Sequence, residues 1–279
     1  MGSASCAADW HLPDSAPPST PCACLITVSA LSAFDDNYLW LLHVPEAGAI
    51  VVDPGDAGVV LAEVERGLEL AAILITHHHA DHTGGIVELQ RRLGLPCFAP
   101  ADPRIPGELR HVGNGEALRL DGWPASIEVI ATPGHTRSHV SYFAGGHLFC
   151  GDTLFSLGCG RLFEGDAEQM HASLQRLAAL PAETLVCCTH EYSAANARFA
   201  QTVDPDNRAL RIRAEAIANA RRAGRPSLPV SLASELACNP FLRVHRPEIR
   251  AAAEAWCGHA LSAATEVFAA LRRWKDEFR

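Results

Sequence analysis

The chain is poor in lysine, and its N-terminal stretch has no basic residue. Its 279 residues include one lysine, Lys275, against 22 arginines, and no Lys or Arg precedes Arg66. Such a start lacks the positive beginning of a secretory signal and the Arg-rich face of a transit peptide, so a cytoplasmic location is expected. No apolar run approaches the roughly 18 residues of a membrane span. Lys plus Arg is 23 and Asp plus Glu is 32, for a net charge of −9. That balance argues against nucleic acid or an anionic membrane surface as a partner. The ten cysteines include no Cys-x-x-Cys pair, and Cys97, Cys150, Cys187 and Cys188 sit in apolar runs. Buried, reduced thiols are the expectation. No Gly-x-Ser-x-Gly elbow is present, which disfavours a serine nucleophile. With 48% hydrophobic residues the composition is that of an ordinary globular protein.

What is present in abundance is histidine next to strand ends. Thr76-His-His-His-Ala-Asp-His-Thr-Gly-Gly85 follows the apolar run Leu70 to Ile75 and offers His77, His79, Asp81 and His82 within six positions. Residues two apart share a face, so His77 and His79 can point the same way while Asp81 and His82 lie further round the loop. One loop can then serve two metal ions. Downstream, His135 follows Ile127 to Ala131, Asp152 follows Leu148 to Cys150, and His190 follows Thr184 to Cys188. Loops at strand ends present polar groups along one edge of a sheet, which makes convergence geometrically cheap. Taken singly, His135 and His190 read as ordinary half-buried histidines more than as ligands; their joint occurrence points to a metal-hydroxide hydrolase.

From about Leu25 to its end the chain resembles the metallo-β-lactamase superfamily and, within it, the glyoxalase II (hydroxyacylglutathione hydrolase) family. The resemblance is carried by the His-x-His-x-Asp-His loop, Phe34-Asp-Asp-Asn-Tyr38, Val52-Asp-Pro-Gly55, Gly151-Asp-Thr-Leu-Phe155, Gly158-Cys-Gly-Arg161 through Phe163-Glu-Gly165, Thr189-His-Glu-Tyr192 and Asn239-Pro-Phe-Leu-Arg243. It implies that His77, His79 and His135 hold one metal, that Asp81, His82 and His190 hold the second, and that Asp152 bridges them. His78 is then not a ligand, while His139 and Asp53 orient the ligands. Five imidazoles and two carboxylates suit two divalent ions, with zinc expected and iron(II) or manganese as alternatives.

The implied fold is α/β, an αββα sandwich with a small C-terminal helical domain. Strands are predicted over Leu25–Leu31, Tyr38–Val44, Ala49–Val52, Ala71–Ile75, Ile127–Ala131, Val140–Phe143, His147–Cys150 and Thr184–Cys188, with helices over Ala57–Gly67, Ile86–Leu93 and Ala167–Ala179. From about Ala194 the pattern is helical, including Arg208–Ala223, Pro247–Trp256 and Leu261–Phe278. The expected division is a flexible extension over 1–24, a catalytic domain over 25–192 and a helical substrate-binding domain over 193–279. Residues 1–207 carry 10 basic and 25 acidic groups, or −15, whereas 208–279 carry 13 and 7, or +6.

Arg272 and Lys275, three apart, project from one face of the terminal helix. Cations there also complement the helix dipole. The resemblance gives them a further role, binding the glutathione carboxylates together with Arg161 and Tyr192. Some relatives have Tyr where this chain has Phe163. The implied reaction is hydrolysis of S-D-lactoylglutathione or a related 2-hydroxyacylglutathione, a step in methylglyoxal detoxification, with Asp81 orienting the attacking hydroxide. The competing readings are a mononuclear-iron glutathione persulfide dioxygenase and a degenerate, non-enzymatic binding module. A small-molecule substrate and a monomer are expected.

Overall fold

A computed structural model describes residues 26–278; the extension expected over 1–24 lies outside them. The first six-stranded sheet runs in chain order through β1 (Thr27–Ala33), β2 (Asn37–Val44), β3 (Ala47–Val52), β4 (Leu70–Leu74), β5 (Cys97–Pro100) and β6 (Leu109–Val112). The second holds β7 (Ala117–Leu118), β8 (Ile127–Ala131), β9 (Val140–Ala144) and β10 (His147–Phe149). A small hairpin, β11 (Leu154–Phe155) and β12 (Gly158–Cys159), separates these from β13 (Leu185–Cys187) and β14 (Val230–Ser231), giving the second sheet the order β14-β13-β10-β9-β8-β7.

The central strands are buried along most of their length because both faces are packed, and alternate side chains enter different cores. In β2, Trp40 and Leu42 meet Tyr142 and Leu148 of the second sheet, while Leu39 and Leu41 turn to the opposite face. There they pack with Val60 of α1 (Ala57–Glu65) and with Ile86 and Leu89 of α3 (Ile86–Leu93), which follows the short α2 (Ala80–Thr83). The layer beyond the second sheet includes α4 (Ala167–Ala178). The order helix, sheet, sheet, helix is the expected sandwich.

After residue 192 come α5 (Ser193–Val203), α6 (Arg208–Arg222), α7 (Leu232–Cys238), α8 (Pro247–Cys257) and α9 (Ala264–Glu277). These are the helices of the expected C-terminal domain, with breaks between them. This part also supplies β14, paired antiparallel to β13, and sends Leu228, Val230 and Leu232 into the core shared with the second sheet. Several ends are written locally. Asp166 and Gln169 form a capping box on α4, and Pro247 starts α8, which Gly258 ends in the left-handed conformation. No helix among the described residues is long and apolar enough to cross a membrane.

β3 and β4 run parallel, as do β10 and β13. β9 is antiparallel to both β8 and β10, so the carboxyl ends of β8 and β10 also lie together. The segments after β4, β8, β10 and β13 therefore share one edge of the sandwich, where open α/β sheets present their sites. Beneath that edge the sheets are joined by Tyr142, fully buried, whose hydroxyl donates to the carbonyl of Ile75 at 2.8 Å. Tyr142→Phe should lower unfolding free energy by about 1–2 kcal/mol, as an unmet buried acceptor does. A denaturant titration should show an earlier midpoint at constant slope, and an unmoved midpoint would deny this hydroxyl a stabilising role.

Candidate metal centre

The His-rich loop begins where β4 ends. Its first turn, α2, packs backbone to backbone on the segment after β3: a Cβ at Gly55 would stand 1.8 Å from the carbonyl oxygen of Asp81. Only glycine permits that approach. Two groups of side chains converge above it. His77, His79, His135 and Asp152 form one, and Asp81, His82 and His190 form the other, each with ligand atoms within 4.8 Å of one another. The seven residues singled out in the sequence are thus all brought together.

The ring nitrogens aim inward. His77 Nε2 and His135 Nε2 each lie 3.0 Å from His79 Nδ1. Asp152 stands between the groups, with Oδ2 3.4 Å from His135 Nε2 and Oδ1 3.5 Å from His82 Nε2 and 3.4 Å from His190 Nε2. Asp81 Oδ2 lies 3.4 Å from the Nε2 atoms of both His82 and His190. His82 Nε2 and Asp152 Oδ1 are buried without a hydrogen-bond partner. Buried polar atoms are rarely left so, and these two face a common point. A cation there satisfies both, so the donor set fits metal ions.

Four of the five rings are held at the outward nitrogen. His82 Nδ1 lies 3.0 Å from Asp53 Oδ2, His190 Nδ1 2.7 Å from Asp36 Oδ1, His135 Nδ1 2.8 Å from the Arg161 carbonyl and His77 Nδ1 3.0 Å from Thr76 Oγ1. Such partners fix tautomer and ring orientation. Asp53 and His139 occupy the orienting places expected of them. His139 Nε2 accepts the Asp152 backbone N–H at 3.1 Å, which leaves its Nδ1 to face Thr132 Oγ1 at 2.9 Å. His78 stands outside both groups, 3.6 Å from each of Asp102 and Glu164. The sequence reading assigned no role to Asp36, Asn37 or Thr76. Asn37 Nδ2 donates to Asp81 Oδ2 at 3.0 Å. The signal for two of them was there in Phe34-Asp-Asp-Asn-Tyr38.

The two groups differ in charge. Burial, reinforced by the neighbouring His135, brings His79 down to about 4, and burial first lowers His77 and His135 as well. Burial thus favours the neutral form of these imidazoles, the form able to bind a metal ion. Burial also opposes charge on His82 and His190, but Asp152 and other carboxylates outweigh it, raising His82 strongly and His190 to about 10. Asp81 and Asp152 are held well below the usual carboxylate range despite burial, by hydrogen bonds or charge from His82 and His190. Protons on the second group occupy the place of cationic charge.

A cleft of about 500 Å³ opens beside the centre. His135 and Asp152 reach it from the metal side, and Arg161, Tyr192, Arg272 and Lys275 line it further out. The Tyr192 ring is stacked on His190, centroids 4.8 Å apart, and the exposed Phe163 ring stands edge-on to His79 and His135. Lys275 Nζ lies 5.6 Å from the centre of the Phe199 ring and has no ion-pair partner among the described residues. Burial, then Arg272, Arg198 and Arg161, pull its pKa down. A cluster of cations with so little counter-charge favours an anionic ligand. Arg272 lines the cleft with its guanidinium engaged by the Cys159 carbonyl and Asp276, and its Nε has no partner among the described residues.

Comparison with known proteins agrees with this architecture. The metallo-beta-lactamase superfamily profile matches residues 34–190, and the profile described as hydroxyacylglutathione hydrolase C-terminus matches 191–278. A hydroxyacylglutathione hydrolase from Xanthomonas axonopodis pv. citri is 60% identical over 252 residues, 90% of this chain and 98% of that protein. TTHA1623, solved in a di-iron-bound form, is 31% identical with a TM-score of 0.50, over 58% of this chain and 91% of that one. A metallo-beta-lactamase from Staphylococcus aureus, 18% identical, shares the fold over 90% of this chain and 71% of its own at a TM-score of 0.59.

Because carboxylates favour the protonated form of the second group's imidazoles while burial favours the neutral form of the first group's, metal uptake by the second group should release protons and weaken as pH falls, whereas uptake by the first should be nearly proton-neutral at neutral pH. Calorimetric titration of metal-free protein with zinc, in buffers of different ionisation enthalpy, should show one buffer-dependent step. Two buffer-independent steps would contradict this charge assignment.

Proposed function

This chain belongs to the hydroxyacylglutathione hydrolases of the metallo-β-lactamase superfamily, and from that premise we propose which of its side chains do the work. It is a thioester hydrolase, converting a 2-hydroxyacylglutathione such as S-D-lactoylglutathione to glutathione and a 2-hydroxy acid. The chemistry is carried by residues 25–192 in our reading, with 193–279 forming the substrate-binding arm. The observation that carries the assignment is Asp152, one oxygen towards each histidine group, at the mouth of a cation-lined cleft.

His77, His79 and His135 would hold one ion, Asp81, His82 and His190 the other, with Asp152 shared. Zinc suits this nitrogen and oxygen donor set, with iron or manganese as alternatives. Two bound dications would supply a water acidic enough to attack at neutral pH and a Lewis acid for the carbonyl oxygen. Asp81, steadied by Asn37, orients that water towards the thioester carbon. That water would first give up one proton to solvent; as the resulting hydroxide oxygen bonds to carbon, the carbon–sulfur bond breaks, its electron pair leaves on the thiolate, and the carboxylic acid formed loses its proton to the medium. A thiol of pKa about 8.5 departs without a dedicated acid. Lys275 and Arg161 draw the glutathione carboxylates into the cleft, and Tyr192, lying on His190, walls the reacting end. Arg272 belongs to the same wall.

The dioxygenase alternative needs one ion and leaves the Asp81, His82 and His190 group without purpose. The seven cysteines described are all free, which supports a reducing compartment and the cytoplasm. We read the enzyme as a monomer because one chain completes the cleft.

Elemental analysis should approach two metal ions per chain. Asp152→Ala should deplete both, His190→Ala chiefly one; full retention of both by Asp152→Ala would refute the shared ligand. Lys275→Ala should leave metal content unchanged and reduce kcat/KM about 10- to 150-fold, the effect of losing a charge-assisted hydrogen bond of ~1.5–3 kcal/mol, with the low end applying to a solvated pair. The loss should fall mostly on KM and shrink for a thioester lacking the glutathione carboxylates. Wild-type kinetics in this variant would remove Lys275 from the substrate site.

A further inference from the structure

Helix α9 is joined to the first histidine group by a path that substrate binding does not require. Arg272, only 5% exposed, directs Nη1 to the carbonyl of Cys159 at 2.8 Å and towards that of Gly160 at 3.5 Å. Nη2 donates to Asp276 Oδ1 at 3.0 Å, one turn further along the helix. The guanidinium carbon lies 5.3 Å from the centre of the Phe241 ring. Divergent acceptors of this kind need a flat, rigid fork of donors, which arginine has and lysine lacks.

The segment so held leads directly to the centre. The carbonyl of the next residue, Arg161, accepts the Nδ1 proton of His135 at 2.8 Å. Gly160 itself is pressed against the shared carboxylate residue: a Cβ there would stand 1.9 Å from the Asp152 carbonyl oxygen and 3.3 Å from His135 Nδ1. Movement of Cys159 or Gly160 must therefore move the groups that set His135 and Asp152.

We propose that Arg272 is a positioning residue for the metal centre, holding the Cys159–Arg161 backbone so that the Arg161 carbonyl selects the His135 tautomer and aims Nε2 at the first histidine group. The inference rests on the reading of that group as a metal site. It differs from a role in binding a substrate carboxylate, and the two roles separate in metal retention. Arg272→Lys keeps the charge and loses the fork.

Full-length zinc-loaded protein is dialysed against graded chelator, and retained zinc is measured beside kcat and KM for S-D-lactoylglutathione. Arg272→Lys should hold one of the two ions about tenfold more weakly, the lower end of losses seen when a ligand's supporting partner is removed, with kcat falling more than KM rises. Asp276→Asn, at the exposed end of the pair, should shift retention the same way by less. If Arg272→Lys does not fold, Asp276→Asn decides alone. Wild-type retention in the folded variant, with any defect confined to KM, overturns the proposal. Wild-type protein that holds no zinc, or holds it without hydrolysing the thioester, overturns the underlying reading and this inference with it, and that arm is read before any variant.

Discussion

The buried carboxylate of Asp53 is the point on which the centre depends. It is 1% exposed, and its oxygens lie 2.7 Å from both the backbone nitrogen and the hydroxyl of Thr76 and 3.0 Å from His82 Nδ1. A carboxyl group cannot lie so deep without such partners. The same contacts tie the end of β3 to the end of β4 and orient a ring of the loop beyond. The Asp53 backbone sits at a φ of 51°, a conformation uncommon outside glycine. Local strain is tolerated because the surrounding bonds over-determine it.

From that anchor the electrostatics divide the molecule along its cleft. Around the histidines, Asp36, Asp53, Asp81 and Asp152 create a field that calls for cations. Beyond the rim, Arg161 and Lys275 create one that calls for anions, moderated by Asp276 near Arg161 at 3.5 Å. A thioester bearing carboxylates at its far end and an electrophilic carbonyl at its near end is complementary to both fields at once. In the function proposed above, recognition and activation follow one gradient of charge.

Much of this was legible in the sequence, for identifiable reasons. The long strands with two buried faces, β2, β8 and β9, showed as apolar runs, and the ligands stood out because each followed such a run at a fixed edge. What escaped was short or nonlocal. β5 is four residues bounded by Pro96 and Pro100, and β14 is two residues whose only claim to be a strand is its pairing with β13. The partners of Arg272 were equally hidden, since its main acceptor, the carbonyl of Cys159, lies 113 residues away in the chain. Periodicity reports which face a residue occupies; it carries no information about a carbonyl on a distant turn.

The distance between Arg272 and the loop it holds bears on how the enzyme comes into being. During synthesis the N-terminal portion emerges first, and every side chain of the two histidine groups is translated before residue 191. Their support, Arg272, is translated well after them. A nascent chain can therefore display its metal-site histidines before the guanidinium that steadies them has been made, so the ligands and their support are brought together only by folding across that separation.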